Sequence, residues 1–353
     1  MHMADALLSP AVGATMWGVS AGAIACGSAR LRRRRDDRLA PLMGVLGGFL
    51  FAAQMINFSI PGTGSSGHLT GGLLLAILLG PAAAFLTIAS VLVVQAFFFA
   101  DGGLLALGCN IFNLGVIPAF LVYPFFYRSL IGADPGRWRG GAVTLSSALI
   151  AMQLGALCVV LQTAASGVCA LPVGRFLLLM LPIHLAIGVV EGVVTLAVVS
   201  FLQKARPELV AGRGAPAAGS SRPVLAAFFA CALVTAGGLS HFASEKPDGL
   251  EWSVAKASGQ ASRQVPGQGV AAALGMLQHK TSLFADYRIA PAASTAVPST
   301  VGAPATSGAP VAAGGSGGGA GFSGVVGIVV TLLLVVGAAM LLRRGNRGVA
   351  PEA

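Results

Sequence analysis

Arg30-Leu31-Arg32-Arg33-Arg34-Arg35-Asp36-Asp37-Arg38 closes an apolar run that begins at Pro10. The order of the two parts decides how the chain is read. A cleaved signal peptide carries positive charge ahead of its apolar region, whereas here the charge follows it. The run therefore predicts a retained membrane helix with its N-terminus outside. Its basic end then lies in the cytoplasm, where Lys and Arg are enriched.

Hydrophobic residues make up 55% of the 353 and charged residues 10%, against about 25% charged in an average soluble domain. Mean hydropathy is +0.82. This is the composition of a polytopic membrane protein embedded in a lipid bilayer. The net charge of +10 does not point to nucleic acid, because the basic residues sit in short clusters between apolar spans.

After 10–29, the apolar stretches are 41–58, 69–79, 81–100, 109–126, 141–163, 176–202, 223–241 and 326–342. The stretch 69–79 is about 16 Å long as a helix, too short for a core of about 30 Å. Gly80-Pro81 breaks it, which predicts a short or re-entrant helix followed by a full span. Counting sides places Arg30, Arg32–Arg35, Arg38, Arg128, Arg137, Arg139, Lys204, Arg206, Arg213, Arg222, Arg343, Arg344 and Arg347 in cytoplasmic segments. That is 16 of the 22 Lys and Arg.

The expected fold is an all-α polytopic membrane helix bundle. It has about seven helical segments in a core, one short or re-entrant, plus two C-terminal transmembrane helices, and its C-terminus is cytoplasmic. Residues 1–203 form the core, 204–222 a cytoplasmic linker rich in Gly, Ala, Pro and Ser, and 223–345 the two-helix unit. The external loop of that unit, 242–325, contains a low-complexity stretch at 290–324. Of the five Cys, Cys26, Cys109, Cys158 and Cys231 lie in or beside spans as small hydrophobes. Cys169 lies in an external loop, and no disulfide is expected.

Polar residues inside a membrane are costly and tend to face the bundle interior or mark substrate paths. Three groups stand out: Gln54, Asn57, Ser65, Ser66 and His68; Gln95, Asp101, Asn110 and Asn113; and His184 with Glu191. Topology puts the first two groups on the same outer side as the N-terminus. The third pair, seven residues apart on one helix face, reads as a structural hydrogen-bonded pair rather than a pair of ligands. On the first helix Ala14, Gly18 and Gly22, with Ala21 and Ala25 beside them, let another backbone approach closely. That backbone belongs either to this chain or to a partner subunit.

Met1-His2 can chelate. The α-amine, the His2 amide nitrogen and imidazole Nδ1 close a five- and a six-membered ring on one ion, and an imidazole from elsewhere can fill the fourth position of the plane. Tetragonal nitrogen sites suit Ni(II) or Cu(II), and topology lets His68 reach His2. The sequence holds no HExxH, no Cys cluster, no GxxxxGK[ST] and no Ser-His-Asp or Cys-His arrangement of plausible spacing. An enzyme is not expected, nor a resident cofactor, and ATP hydrolysis would reside in partner subunits.

Several stretches carry a resemblance: Met1-His2-Met3-Ala4 through Leu8-Ser9-Pro10, Gln54–Phe58, Gly62–Gly72 with His68 near its end, Leu79-Gly80-Pro81, Phe99–Gly108 with Asn110, and Leu181–Gly188 leading to Glu191-Gly192. Over roughly 1–203 the chain resembles the substrate-binding membrane component of energy-coupling-factor nickel/cobalt uptake transporters, the CbiM/NikM type. Lys246-Pro247-Asp248-Gly249-Leu250-Glu251, with Ala285-Asp286-Tyr287-Arg288, resembles the PDGLE domain found with this family. The resemblance implies a fused NikN/CbiN-like second component.

It also implies a metal held by the Met1 amine, the His2 amide and imidazole, and His68, with Met1 retained and unformylated. Asn57, Ser65, Ser66 and Asp101 are candidates for orienting these ligands, and Met3 for a wall of the site. The implied function is nickel uptake across the cytoplasmic membrane. The implied partners are a membrane scaffold (T) subunit and two cytoplasmic ATP-binding subunits. Cobalt uptake by the same mechanism is the alternative. An autonomous ion-coupled carrier relying on Glu191, and a metal sensor without transport, are less favoured.

Overall fold

Ser9 and Pro10 start the first helix as their chemistry dictates. Ser9 Oγ accepts the Val12 N–H at 3.4 Å, and Pro10, which has no N–H to satisfy, opens the helix. The computed structural model describes residues 1–34, 36, 38–132, 136–168, 171–206, 222–258, 269–288 and 318–344. Cys169, Arg35, Arg213 and Arg347, most of the expected linker (207–221) and the low-complexity stretch up to residue 317 lie outside the described residues.

The core runs α1 (Pro10–Arg32), α2 (Leu39–Gln54), β1 (Phe58–Ile60), β2 (Ser65–Gly67), α3 (Gly72–Leu79), α4 (Pro81–Phe99), α5 (Leu107–Ile131), α6 (Arg137–Ser166) and α7 (Val173–Ala205). Then come α8 (Arg222–Gly237), α9 (Gly249–Ser258), α10 (Val270–Thr281) and α11 (Gly318–Arg344). Each expected apolar stretch contains a helix. Among the described residues five helices, α4 to α7 and α11, are long and apolar enough to cross a membrane. α1 has 23 residues but interleaves Gly, Ser and Thr with its apolar positions, and α2 and α8 have 16 residues each. α5 widens to π-type turns over Phe112–Arg128, where Pro118 and Pro124 cannot donate to the regular ladder.

Two features sharpen the sequence reading. The loop Asn57–His68 is not irregular throughout. Phe58–Ile60 pairs antiparallel with Ser65–Gly67, in register Phe58↔Gly67, around a turn with positive φ at Gly62 and Gly64. Strands of three residues, half of them serine, lack the apolar alternation that announces a sheet. Second, of the two expected forms of 69–79, short or re-entrant, the structure has the short one, eight residues long. Arg34, just past α1, donates from Nη1 to the Leu79 carbonyl at 2.8 Å, so α3 reaches the arginine-rich end of the bundle. α4, 19 residues or about 28 Å, returns to the opposite end.

The C-terminal helix is packed into the core. Cβ atoms at Gly44 and Gly48 would lie 2.4 and 3.0 Å from Val336 and Ile328 side chains, so α2 and α11 approach closely. On α1 the inward face is Gly13, Ser20, Gly27 and Leu31, with Ser20 Oγ donating to the Gly108 carbonyl at 2.7 Å. Ala14, Gly18, Ala21, Gly22 and Ala25 face outward, with nothing within 4 Å of a Cβ built at Gly18 or Gly22. Packing of that stripe within the chain is therefore not what the structure uses it for.

A Cβ at Gly72 would sit 2.4 Å from Pro118 Cγ and 2.8 Å from the Leu114 carbonyl. Gly72→Ala should therefore destabilise the bundle by about 1–3 kcal/mol, read as a lower thermal unfolding midpoint in detergent.

Candidate metal centre

The N-terminal peptide lies in a groove made by the α4–α5 loop. Asn110 holds Met3 by both backbone groups, accepting its N–H at 2.8 Å and donating to its carbonyl at 3.2 Å. The Gly103 N–H donates a second bond to that carbonyl at 3.0 Å. Gly102 and Gly103 are there because the peptide leaves no room: Cβ atoms would stand 2.8 Å from Asn110 Nδ2 and 1.8 Å from Asp5 Oδ1. Gly102 also takes φ +82°, a conformation L side chains rarely adopt. Met3 is fully buried, with its sulfur beside Asn113.

Held this way, the Met1 amine is buried between two partners. It donates to His68 Nε2 at 2.8 Å and to Asp248 Oδ2 at 2.9 Å. The His2 and His68 rings stack with centroids 5.0 Å apart and planes 6° from parallel. His2 Nδ1 faces Asp101 Oδ1 at 3.1 Å, and its Nε2 is buried without a partner. Tyr287 donates its hydroxyl to Asp101 Oδ2 at 2.7 Å. Met1, His2, His68 and Asp101 thus come together at one end of the bundle.

His68 owes its position to α7. Glu191 accepts from the Thr70 N–H, the Thr70 hydroxyl and the Gly71 N–H at 2.7 to 3.1 Å, and Gln54 donates to the Thr70 carbonyl at 3.0 Å. The expected His184–Glu191 pair is therefore not formed. Seven residues of helix separate them by about 10.5 Å, and His184 Nδ1 bonds to the Met180 carbonyl instead.

Ser66 donates to the Lys246 carbonyl, its N–H bonds to the Pro247 carbonyl, and Ser65 Oγ bonds to the Ser66 carbonyl. The Asn57 carbonyl accepts Ser244 N–H at 2.7 Å, and its Oδ1 is buried without a partner. These three residues shape the loop ahead of His68 and seat the 244–251 segment on it. None is hydrogen-bonded to Met1, His2 or His68.

The electrostatics favour a neutral His68 beside charged carboxylates. Burial, then the amine and His2 charges, push the His68 imidazole down to about 3. Its Nδ1 lies 3.1 Å from the Leu69 carbonyl and so carries the proton, leaving the Nε2 lone pair toward the amine. Burial alone would raise the Asp101 carboxyl, but the His2 charge and the bonds from His2 and Tyr287 outweigh it and hold it below its usual range. Asp248 is likewise held low against burial by the amine and the Glu251 N–H.

An ion could replace the amine's proton with little movement. Two nitrogens about 2.0–2.1 Å from one ion at a right angle lie roughly 2.9 Å apart, close to the 2.8 Å seen here. For His2 to close both chelate rings, Nδ1 has to leave Asp101 and turn toward the amine. Among the described residues no three His, Cys, Asp or Glu side chains form a metal-holding group. The donor set gathered here is a mixed one, an amine and two imidazoles.

Two residues at this end were not read as part of it from sequence. Asp248 begins α9, accepting Glu251 N–H at 2.8 Å while Glu251 Oε2 accepts Asp248 N–H at 3.2 Å. That reciprocal cap is legible in Asp248-Gly249-Leu250-Glu251, but its meeting with residue 1 is not. Tyr287 had no signal beyond its motif.

Residues 2–209 match the family described as the cobalt uptake substrate-specific transmembrane region, and 222–344 match the PDGLE domain. A "probable fused nickel transport protein LarMN" of Lactiplantibacillus plantarum is 30% identical over 315 residues, 86% of this chain and 92% of that one. The fused nickel transport protein NikMN of Rhodobacter capsulatus is 31% identical, covering 62% of this chain and 66% of its own. The cobalt transport protein CbiM of Geobacter sulfurreducens is also 31% identical, over 72% and 76%. A crystal structure titled as a transition metal transporter superposes with TM-score 0.51 at 29% identity, over 58% of this chain and 93% of that one.

Glu191→Ala would strip three donors of their acceptor, at about 1–3 kcal/mol for an unsatisfied buried group. Amide exchange at Thr70 and Gly71 should accelerate. Unchanged exchange there would mean that Glu191 does not hold the His68 loop.

Proposed function

Because the chain belongs to the CbiM family of metal-uptake membrane proteins and carries a PDGLE domain behind that core, we propose that it captures nickel for uptake across the cytoplasmic membrane. It acts as the substrate-specific component of an ATP-driven energy-coupling-factor transporter. Membership makes it a nickel/cobalt transport component rather than an enzyme. The observation that carries the finer reading is the buried Met1 amine 2.8 Å from His68 Nε2, with the His2 ring stacked alongside.

The ion is bound by the Met1 amine, the His2 amide nitrogen and imidazole, and His68. Residues 1–203 serve as the metal-binding unit, 204–222 as linker and 223–345 as the fused NikN/CbiN-like unit. The site end faces outward and the Arg30–Arg34 end faces the cytoplasm. ATP hydrolysis belongs to two cytoplasmic subunits coupled through a membrane scaffold subunit. The outward stripe Ala14, Gly18 and Gly22 suits close helix contact with that scaffold. Cobalt is the alternative cargo, and a planar nitrogen set favours Ni(II) over it. An autonomous carrier would need Glu191 to relay charge, yet its oxygens are taken up by Thr70 and Gly71.

Purified protein should bind Ni(II) in preference to Co(II) by equilibrium competition, and His2→Ala or a residue added before Met1 should abolish binding. Ni(II) binding by either form as strong as by the native chain would refute the ligand set. Affinity should also fall as pH falls, since amine, amide and imidazole protons must be given up for the ion to bind. His68, held down to about 3, should add no proton release at neutral pH. Gly18→Leu should leave Ni(II) binding intact and abolish co-purification of the scaffold subunit. Unchanged co-purification would exclude the α1 stripe as the docking face.

A further inference from the structure

Tyr287 belongs to the C-terminal unit, yet its hydroxyl ends a chain of contacts that begins at residue 2. It donates to Asp101 Oδ2 at 2.7 Å, while Asp101 Oδ1 lies 3.1 Å from His2 Nδ1. The carboxylate thus has one oxygen on the metal-site imidazole and the other on a phenol from beyond α10.

The phenol is held in place by several independent contacts. Its ring stacks on Phe99 with centroids 4.9 Å apart and meets Phe51 at 6.1 Å. Its carbonyl accepts Ser323 Oγ from α11 at 2.7 Å. Phe284 N–H bonds to the Phe98 carbonyl, and Gln278 bonds to the Ala96 and Gly102 carbonyls on either side of Asp101. The backbone is strained to do this: Asp286 and Tyr287 both take positive φ, +52° and +60°, without being glycine. Consecutive left-handed residues with side chains persist where surrounding structure over-determines them, and they cluster at functional sites.

A second anomaly lies at the other end of the chain. His2 Nε2 is buried with no hydrogen-bond partner among the described residues. A ligating imidazole ordinarily donates its other N–H to a carboxylate, which fixes the ring and raises its basicity. Chelation through Nδ1 leaves Nε2–H to be satisfied, and Asp101 is the carboxylate beside that ring.

We propose that Tyr287 is a positioning residue of the metal centre: it fixes Asp101 as the carboxylate that orients His2, so that the fused C-terminal unit completes the site built by the core. This rests on His2 being a ligand. Chelation takes Nδ1 off Asp101 Oδ1, and the carboxylate, held by the Tyr287 hydroxyl on its other oxygen, stays beside the ring as the acceptor for the Nε2 proton.

The test compares Ni(II) affinity of the full chain with Y287F, D101N, the double variant and H2A, together with apo thermal midpoints. Y287F keeps the aromatic stack and removes only the hydroxyl. Its Ni(II) dissociation constant should rise about 10–100-fold, the range for such outer partners, with an unchanged apo midpoint. The double variant should lose little more than D101N alone, because the two act through one carboxylate. Wild-type affinity in Y287F, losses that simply add, or a loss matched by a lowered apo midpoint would each overturn the proposal. If H2A loses nickel while Y287F keeps it, only the role of Tyr287 fails. If H2A keeps nickel, the ligand assignment fails and this inference falls with it.

Discussion

A charged α-amine cannot be buried without a partner. The end of this bundle is arranged around that constraint. Met1 is drawn inside because Asn110 and Gly103 hold Met3, and its amine is then met by a lone pair on His68 and a carboxylate from Asp248. Each partner is fixed from elsewhere: the His68 loop by Glu191 on α7, Asp248 by its cap on α9, and Asp101 by Tyr287. Loosening either partner of the amine would leave a buried charge unpaired.

The same constraint shapes the amine's surroundings. An ammonium proton lies between the amine and His68 Nε2, and the charge is balanced by Asp248. On the proposed function, a divalent cation would bring its own charge in place of that proton. His68 is already neutral with its Nε2 turned inward, so the main rearrangement falls on His2, whose Nδ1 starts on Asp101. The core and the C-terminal unit share the work. Ser66 and Asn57 on the hairpin bind the 244–248 segment, and α11 packs on the glycines of α2.

Much of the fold was legible because membrane crossing imposes strong rules. Apolar runs located α1 to α8 and α11, and Gly80-Pro81 marked the break between α3 and α4, whereas α9 and α10 fall in the stretch 242–325 that was expected to be a loop. Met1, His2, His68 and Asp101 were legible as a group because chelate chemistry and sidedness needed no three-dimensional detail. The hairpin was missed because Ser65-Ser66-Gly67 has no apolar alternation. The His184–Glu191 pairing was misread because a shared helix face says nothing about the 10 Å or so of rise between the two. Each bonds elsewhere, to Met180 and to Thr70 and Gly71. Asp248 and Tyr287 escaped notice because their contacts with Met1 and Asp101 join residues far apart in the chain, which local pattern does not encode.

X-ray absorption on the nickel-loaded chain tests the ligand set most directly. A four-coordinate planar Ni(II) edge is expected, with nitrogen as the only near neighbour and the outer-shell scattering of two imidazoles, from His2 and His68. A six-coordinate edge with oxygen neighbours, or scattering from a single imidazole, would contradict the assignment of the Met1 amine, His2 and His68 as the metal ligands.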